Sequence, residues 1–307
     1  MPRAASRGPL VLLGGPTASG KSAVALALAE RVAGLEVVSA DSQQVYRGFD
    51  IGTAKPTADE RARLPHHAID VVEPDVAFDA AAFVRVADEA IAAIRARGAT
   101  PLVVGGTGLW MRALVRGLID VPPADPAMRA ELEAEVERLG APAVHARLAT
   151  LDAETAATVS PGDARRVVRA LEILRLSGKP ASVLRREHRE APPRHDARWV
   201  VVDPGKEALD ARIAARVDHM LAAGLVAEVT ALLARYPRSL RPFAAVGYAE
   251  VVAHVLDGVA LDATRAAIVR STRDYAKRQR TWFRKEPARW VRPDEAVELL
   301  AEMLRGP

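Results

Sequence analysis

The chain has 307 residues, half of them hydrophobic and 27% charged, with a mean hydropathy of +0.01 and a net charge of +4; this balance excludes a disordered chain and a membrane-embedded bundle, and allows one large domain or two moderate ones. No apolar run reaches the roughly 18 residues of a spanning helix, and Arg3 and Arg7 precede a stretch that soon turns glycine-rich, so neither secretion nor a membrane partner is expected. The absence of cysteine excludes a disulfide framework, a thiolate metal site and a cysteine nucleophile, and permits a cytoplasmic address.

In chain order, PLVLLGG (9–15) has the pattern of a short buried strand and KSAVALALAERV (21–32) the length and composition of a helix. EVVSAD (36–41) predicts a second strand and HAIDVV (67–72) a third. Residues 79–98 predict a helix ended by glycine, and PLVVGG (101–106) a fourth strand. Such alternation argues for an α/β fold with a parallel sheet, and GPTASGKS (15–22) between its first strand and helix makes the core P-loop NTPase-like. Between 119 and 196 the pattern changes to helical segments, opened by Pro122, Pro123 and Pro126 after Asp120 and closed by Pro192 and Pro193, which predicts an inserted helical subdomain. Strand character returns at RWVVVD (198–203), followed by helical patterns over 207–235, 247–257 and 261–284. The expected division is a discontinuous core, 8–118 and 197–292, an insert over 119–196, and a C-terminal tail over 293–307.

The sharpest local signal is GPTASGKS: Gly15, Pro16, Thr17, Ala18, Ser19, Gly20, Lys21 and Ser22. It has P-loop spacing and stands between a strand and a helix, as phosphate binding requires. Backbone N–H groups cradle the anion, Lys21 supplies a cation, Ser22 is the candidate ligand for Mg2+, and the helix aims its positive end at the site. Asp41 stands at the carboxyl end of the second strand, where ligands lie in open α/β sheets. Beyond the fourth strand, GGTGLW (105–110) brings Thr107 to the same edge. LVVGG carries no aspartate where a Walker-B magnesium ligand would stand, unlike ordinary ATPases.

Charge is concentrated late in the chain. Residues 270–292 carry nine basic side chains against Asp274 and Glu286. Arg270, Arg273, Lys277, Arg280 and Arg284 follow steps of three and four and so share one helical face, with Trp282 and Phe283 interleaved, a pattern suited to nucleic-acid phosphates. Arg165, Arg166 and Arg169 form a second, smaller cluster, for which a solvated helix face is an equal reading. His66 and His67 are adjacent, which aims them apart; a structural role fits better than a metal pair.

Taken together and in order, GPTASGKS, DSQQVYRGFDIGTAKP (41–56), the HH and ID of 66–70, LVVGGTGLW, SPGDARRVVRALEI (160–173), VGY (246–248) and RDYAKRQRTWFRKE (273–286) resemble the tRNA dimethylallyltransferases, over about residues 9–290. The resemblance implies transfer of a dimethylallyl group from dimethylallyl diphosphate to N6 of the adenosine 3′-adjacent to the anticodon, within the tRNA anticodon stem-loop, with diphosphate leaving. It implies that Asp41 is the general base, that Thr107 matches a catalytic-channel threonine and that Arg129 matches a substrate-contacting position. Asp41, Ser42, Gln43 and Gln44 would face tRNA, as would Arg165, Arg166 and Arg169, with Arg273, Lys277, Arg280 and Arg284 on its backbone. The P-loop would hold the donor diphosphate with Mg2+, and a monomer is expected.

One departure stands out: Ala244 and Ala249 flank VGY where the family usually carries arginines. Either Arg241, or Arg212 with Arg216, supplies the charge, or affinity is lower. From the residues alone, a small-molecule P-loop kinase, an enzyme prenylating free adenine nucleotides and a non-catalytic RNA-binding protein stay open.

Overall fold

The computed structural model describes residues 8–119, 121 and 125–305; Arg3, Arg7, Asp120, Pro122 and Pro123 lie outside the described residues. The chain separates into two compact units, Met1–Arg116 with Arg194–Pro307, and Gly117–Pro193. In the first unit six strands, β1 (Leu10–Gly14), β2 (Leu35–Ala40), β3 (His66–His67), β4 (Thr100–Gly105), β5 (Ala197–Val202) and β6 (Ala288–Val291), pair in parallel in the order β3-β2-β4-β1-β5-β6. Helices α1 (Lys21–Ala29), α2 (Ala58–Arg63), α3 (Ala80–Ala96) and α4 (Gly108–Arg116) precede the second unit. That unit holds α5 (Pro126–Leu139), α6 (Ala141–Leu151), α7 (Ala153–Thr158), α8 (Ala164–Ser177) and α9 (Ala181–Glu190). The first unit is completed by α10 (Lys206–Ala222), α11 (Leu225–Leu233), α12 (Tyr248–Asp257), α13 (Leu261–Phe283) and α14 (Pro293–Arg305).

The period-two alternation of a strand divides the sheet's side chains between two cores. Leu10 and Leu12 join Val38, Val103 and Val201 on one face, packed by Ile91 of α3, Met111 of α4, Ile213 of α10 and Ile268 of α13. Val11 and Leu13 join Val37, Leu102 and Val200 on the other, packed by Leu28 of α1 and Leu300 of α14. Burial of both faces is why these strands read as continuous apolar runs. The second unit has its own core of Leu132, Val144, Leu148, Val167 and Leu171.

Several elements differ from their sequence patterns. The third strand stops at His67 because Ala68 and Asp70 take φ of 61° and 55°, and Asp70 turns to bond Lys55 and Arg61; Val72 keeps only an isolated parallel bridge to Tyr46. The helical run over 207–235 breaks at Gly224, φ 101°, into α10 and α11. Residues 293–305 are no tail: Ala296, Leu299 and Leu300, spaced by three and four, bury α14 against α1 and β5. Helices α2 and α4 and strand β6 had no sequence expectation. Among the described residues no helix is long and apolar enough to cross a membrane.

Candidate active site

Strands β2, β4 and β1 are neighbours, so the segments leaving their carboxyl ends converge. The segment after β1 is the P-loop, that after β2 begins at Asp41 and that after β4 is Gly106–Thr107. They border a cleft of about 1270 Å³ lined by Thr17–Ser22, Asp41, Gln44, Gly106, Tyr275 and Gln279, with Arg212 and Arg216 from α10 and with Ile51 and Met220 as apolar lining.

The P-loop conformation follows from its glycines. Gly15 has φ 150° and a Cβ there would stand 2.5 Å from the Val202 carbonyl oxygen, while Gly20 has φ 103° as the residue that starts α1. Lys21 Nζ donates to the carbonyls of Gly15 (2.9 Å) and Pro16 (2.7 Å). Desolvation, aided by repulsion from Arg216 and opposed by Asp41, lowers its ammonium to about 7. Desolvation also lowers the Arg216 pKa, with Asp41 again opposing. Arg212 Nη1 donates to Ser19 O at 3.0 Å, so two α10 arginines one turn apart border the loop. Arg212 and Arg216 line the cleft, whereas Arg241, Ala244 and Ala249 do not.

Asp41 Oδ1 accepts the amides of Gln43 (2.9 Å) and Gln44 (3.4 Å), an aspartate turn. Its other oxygen makes no hydrogen bond among the described residues. Thr107 lies behind the cleft lining: its amide donates to Ala40 O (3.1 Å) and its Oγ1 accepts from Ser42 N (3.0 Å), which ties the exits of β2 and β4 together. Ser42 and Gln43 likewise stand outside the lining, and the buried Gln43 Oε1 has no partner among the described residues.

Helix α13 contributes more than charge. Gln279, buried on its inner face, accepts from Thr17 N (2.8 Å) and donates to Gly106 O (3.0 Å). A side chain at Gly106 would run into that amide. The Tyr275 phenol is shifted upward by burial and by the Asp41 charge, with hydrogen bonding to Thr107 and Gln279 pulling the other way. The sequence pattern predicts a helix over 261–284 with one basic face, and singles out neither Gln279 nor Tyr275. The phase of Gln279 with buried Thr272, Ala276 and Phe283 was the available signal for a polar group on the apolar side.

On the outer face, Arg270, Arg273, Lys277 and Arg284 are exposed. Arg273 pairs with Asp210 at 3.4 Å, and Arg280 is drawn inward to Asp203, at the end of β5, at 2.8 Å. Four of the five thus remain open to solvent. In the second unit, Arg129 and Arg169 share the buried carboxylate of Glu172 (2.7 and 2.6 Å), Arg166 pairs with Asp163 at 3.4 Å, and Arg165 is exposed. His66 Nδ1 bonds Leu64 O and His67 Nε2 bonds Glu36, at the two-residue β3. Among the described residues no three His, Cys, Asp or Glu side chains could hold a metal ion.

A parallel sheet covered on both faces, with a glycine-rich strand-to-helix loop, a strand-end carboxylate and two arginines around one cleft, defines a P-loop-like α/β protein. Comparison with known proteins narrows the class. A model described as IPP transferase matches residues 44–286, and one described as isopentenyl transferase matches residues 8–66. The tRNA dimethylallyltransferase of Anaeromyxobacter sp. (strain K) is 51% identical over 299 residues, 97% of each chain, and that of Geobacter sulfurreducens 48% identical over 291 residues, 94% of this chain and 93% of its own. The tRNA isopentenylpyrophosphate transferase of Bacillus halodurans superposes with a TM-score of 0.70 at 37% identity, covering 98% of this chain and 96% of its own. A eukaryotic dimethylallyltransferase acting on tRNA gives 0.81 at 26% identity, covering 96% and 78%. The chain belongs to the IPP transferase family, that of the tRNA dimethylallyltransferases.

Proposed function

We propose that the protein transfers the dimethylallyl group of dimethylallyl diphosphate to tRNA, at N6 of the adenosine 3′-adjacent to the anticodon. The observation that carries this reading is the shared cleft of the P-loop and Asp41: a leaving-group site and a carboxylate face one space. The N6 lone pair is delocalised into the purine ring, so nucleophilic attack needs its proton accepted as the bond forms. N6 attacks C1 of the allyl group, the C1–O bond breaks, diphosphate departs, and Asp41 takes the N6 proton. The P-loop amides with Arg212 and Arg216 supply donors and positive charge where negative charge grows. The target base must leave the anticodon stack to enter such a cleft.

Mg2+ fits the donor set. Ser22 lines the cleft with a hydroxyl that makes no hydrogen bond among the described residues, and with no carboxylate cluster there the remaining oxygens would come from diphosphate. Bound there, the ion supplies neutralisation of the leaving group. A monomer in the cytoplasm belongs to the same reading. Incubating unmodified bulk tRNA with labelled dimethylallyl diphosphate tests it: label in tRNA with stoichiometric diphosphate is expected. Binding of tRNA without diphosphate release, or prenylation of AMP in preference to tRNA, would overturn it.

A further inference from the structure

The VGY and DIGTAKP segments meet at a carboxylate that neither contains. Glu228 on α11 accepts through Oε2 from the amides of Asp50 (3.1 Å) and Ile51 (2.7 Å), and through Oε1 from that of Gly52 (3.4 Å) and from the Tyr248 hydroxyl (2.6 Å). Tyr248 is fully buried. Its ring centroid lies 4.7 Å from that of Phe49, and a Cβ on Gly52 would stand 2.5 Å from the same ring. Carboxylate and ring thus grip one short segment from two directions.

That segment walls the cleft, to which Asp50, Ile51, Thr53, Ala54 and Lys55 contribute. The carbonyls of Thr53 and Ala54 accept from Gln44 Nε2 (3.3 and 3.2 Å), and the main-chain N–H of Gln44 donates to Asp41 Oδ1 (3.4 Å). Hydrogen bonds at both ends, joined through the covalent chain of 50–54 and of Gln44, therefore connect Glu228 to the candidate base. Four donors on one carboxylate make full use of its lone pairs. A carboxamide in its place would turn an N–H2 group towards other donors.

We infer that Glu228 is a positioning residue: it sets the 50–55 wall of the cleft and, through Gln44, the orientation of Asp41. This rests on the function proposed above. Misplacement by about 1 Å can cost a reaction about 100-fold, so partial release of the wall should cost about tenfold.

Steady-state prenylation of tRNA with Glu228→Gln tests this. The expected result is kcat lowered about tenfold with KM for dimethylallyl diphosphate within about twofold, because the P-loop is untouched. Backbone amides of 50–52 should exchange hydrogen faster than in the unsubstituted protein. Gly52→Ala pushes the same segment away from the Tyr248 ring while leaving Glu228 intact, and should reproduce the pattern. Tyr248→Phe removes one bond of four and leaves the three backbone amides on Glu228, so it should cost kcat about a few-fold, less than Glu228→Gln. An unchanged kcat in Glu228→Gln overturns the inference, as does an equal loss in kcat and donor affinity; should that variant not fold, Gly52→Ala decides on the same terms. Unsubstituted protein inactive on tRNA would defeat the proposed function instead, and hydrogen exchange, read without turnover, would still report whether Glu228 holds the segment.

Discussion

Gln279 of α13 accepts a hydrogen bond from the Thr17 amide of the P-loop at 2.8 Å, and its other end donates to Gly106 at the exit of β4. One buried carboxamide therefore fixes the phosphate loop relative to the turn that leads into Thr107. Gln279→Leu would leave the Thr17 amide and the Gly106 carbonyl unpaired, at a cost of about 1–3 kcal/mol in unfolding free energy. Denaturant unfolding should show this loss, and kinetics a raised KM for the prenyl donor. An unchanged midpoint with unchanged KM would mean the bridge carries no weight.

Asp41→Asn keeps the size of the side chain and removes the base. Turnover should fall about 100-fold or more while tRNA affinity stays within a few-fold, the range of general-base contributions. Single-turnover prenylation with saturating tRNA is the measurement, and near-normal turnover would remove Asp41 from the chemistry.

Lys21 gives the protein a pH signature. Its folded pKa of about 7 lies below the ordinary 10.5, so between those values the unfolded chain binds more protons than the folded one. Stability therefore rises with pH through that window, and the burial penalty is felt in full below it. Diphosphate beside Lys21 favours the charged form, so binding takes up a proton, and affinity should decline as pH rises above about 7. Calorimetry of diphosphate binding in two buffers of different ionisation enthalpy should show this uptake in the native protein and its loss in Lys21→Ala. Equal proton counts in the two proteins would refute the assignment.

The structure changes which basic residues should govern tRNA binding. Lys277 and Arg284 are exposed with no ion-pair partner among the described residues, whereas Arg280 is committed to Asp203. Each phosphate neutralised contributes about −0.7 to −0.9 to the log–log salt slope, so Lys277→Ala/Arg284→Ala should make the slope less negative by about 1.5. Arg280→Ala should instead lower stability, because it leaves the Asp203 carboxylate at the sheet edge unpaired. Dissociation constants for tRNA across a salt series, with a thermal melt of each variant, separate the two. An unchanged slope in the double variant would make this face merely solvated.

Much of the architecture was legible locally. The apolar runs at 10–14, 35–40, 100–105 and 197–202 are strands buried on both faces, and the helices at 21, 80 and 261 begin where spacing of three and four sets in. The P-loop needed only two glycines, a lysine and a serine at fixed intervals. Where the pattern misled, a long-range partner was responsible. HAIDVV has strand composition, yet Lys55 and Arg61 claim Asp70 and turn the chain after His67. Residues 293–307 read as a C-terminal tail in the sequence, yet Leu299 and Leu300 complete the core under β1 and β5.

The sequence by itself determined the parallel α/β class, the glycine-rich loop between β1 and α1, the helical segment before β5 and the family, because each is written in short-range periodicity or in residues at fixed local spacing. Only the tertiary structure decided what acts on that framework: Gln279 meeting Thr17 across 262 positions, Glu228 closing on 50–52 across more than 170, and Arg280 withdrawn from the basic face by Asp203. Such pairings leave no local trace, because a hydrogen bond or ion pair requires its two groups to meet in space. Here the order of strands in the sheet and the packing of α10, α11 and α13 against it bring them together.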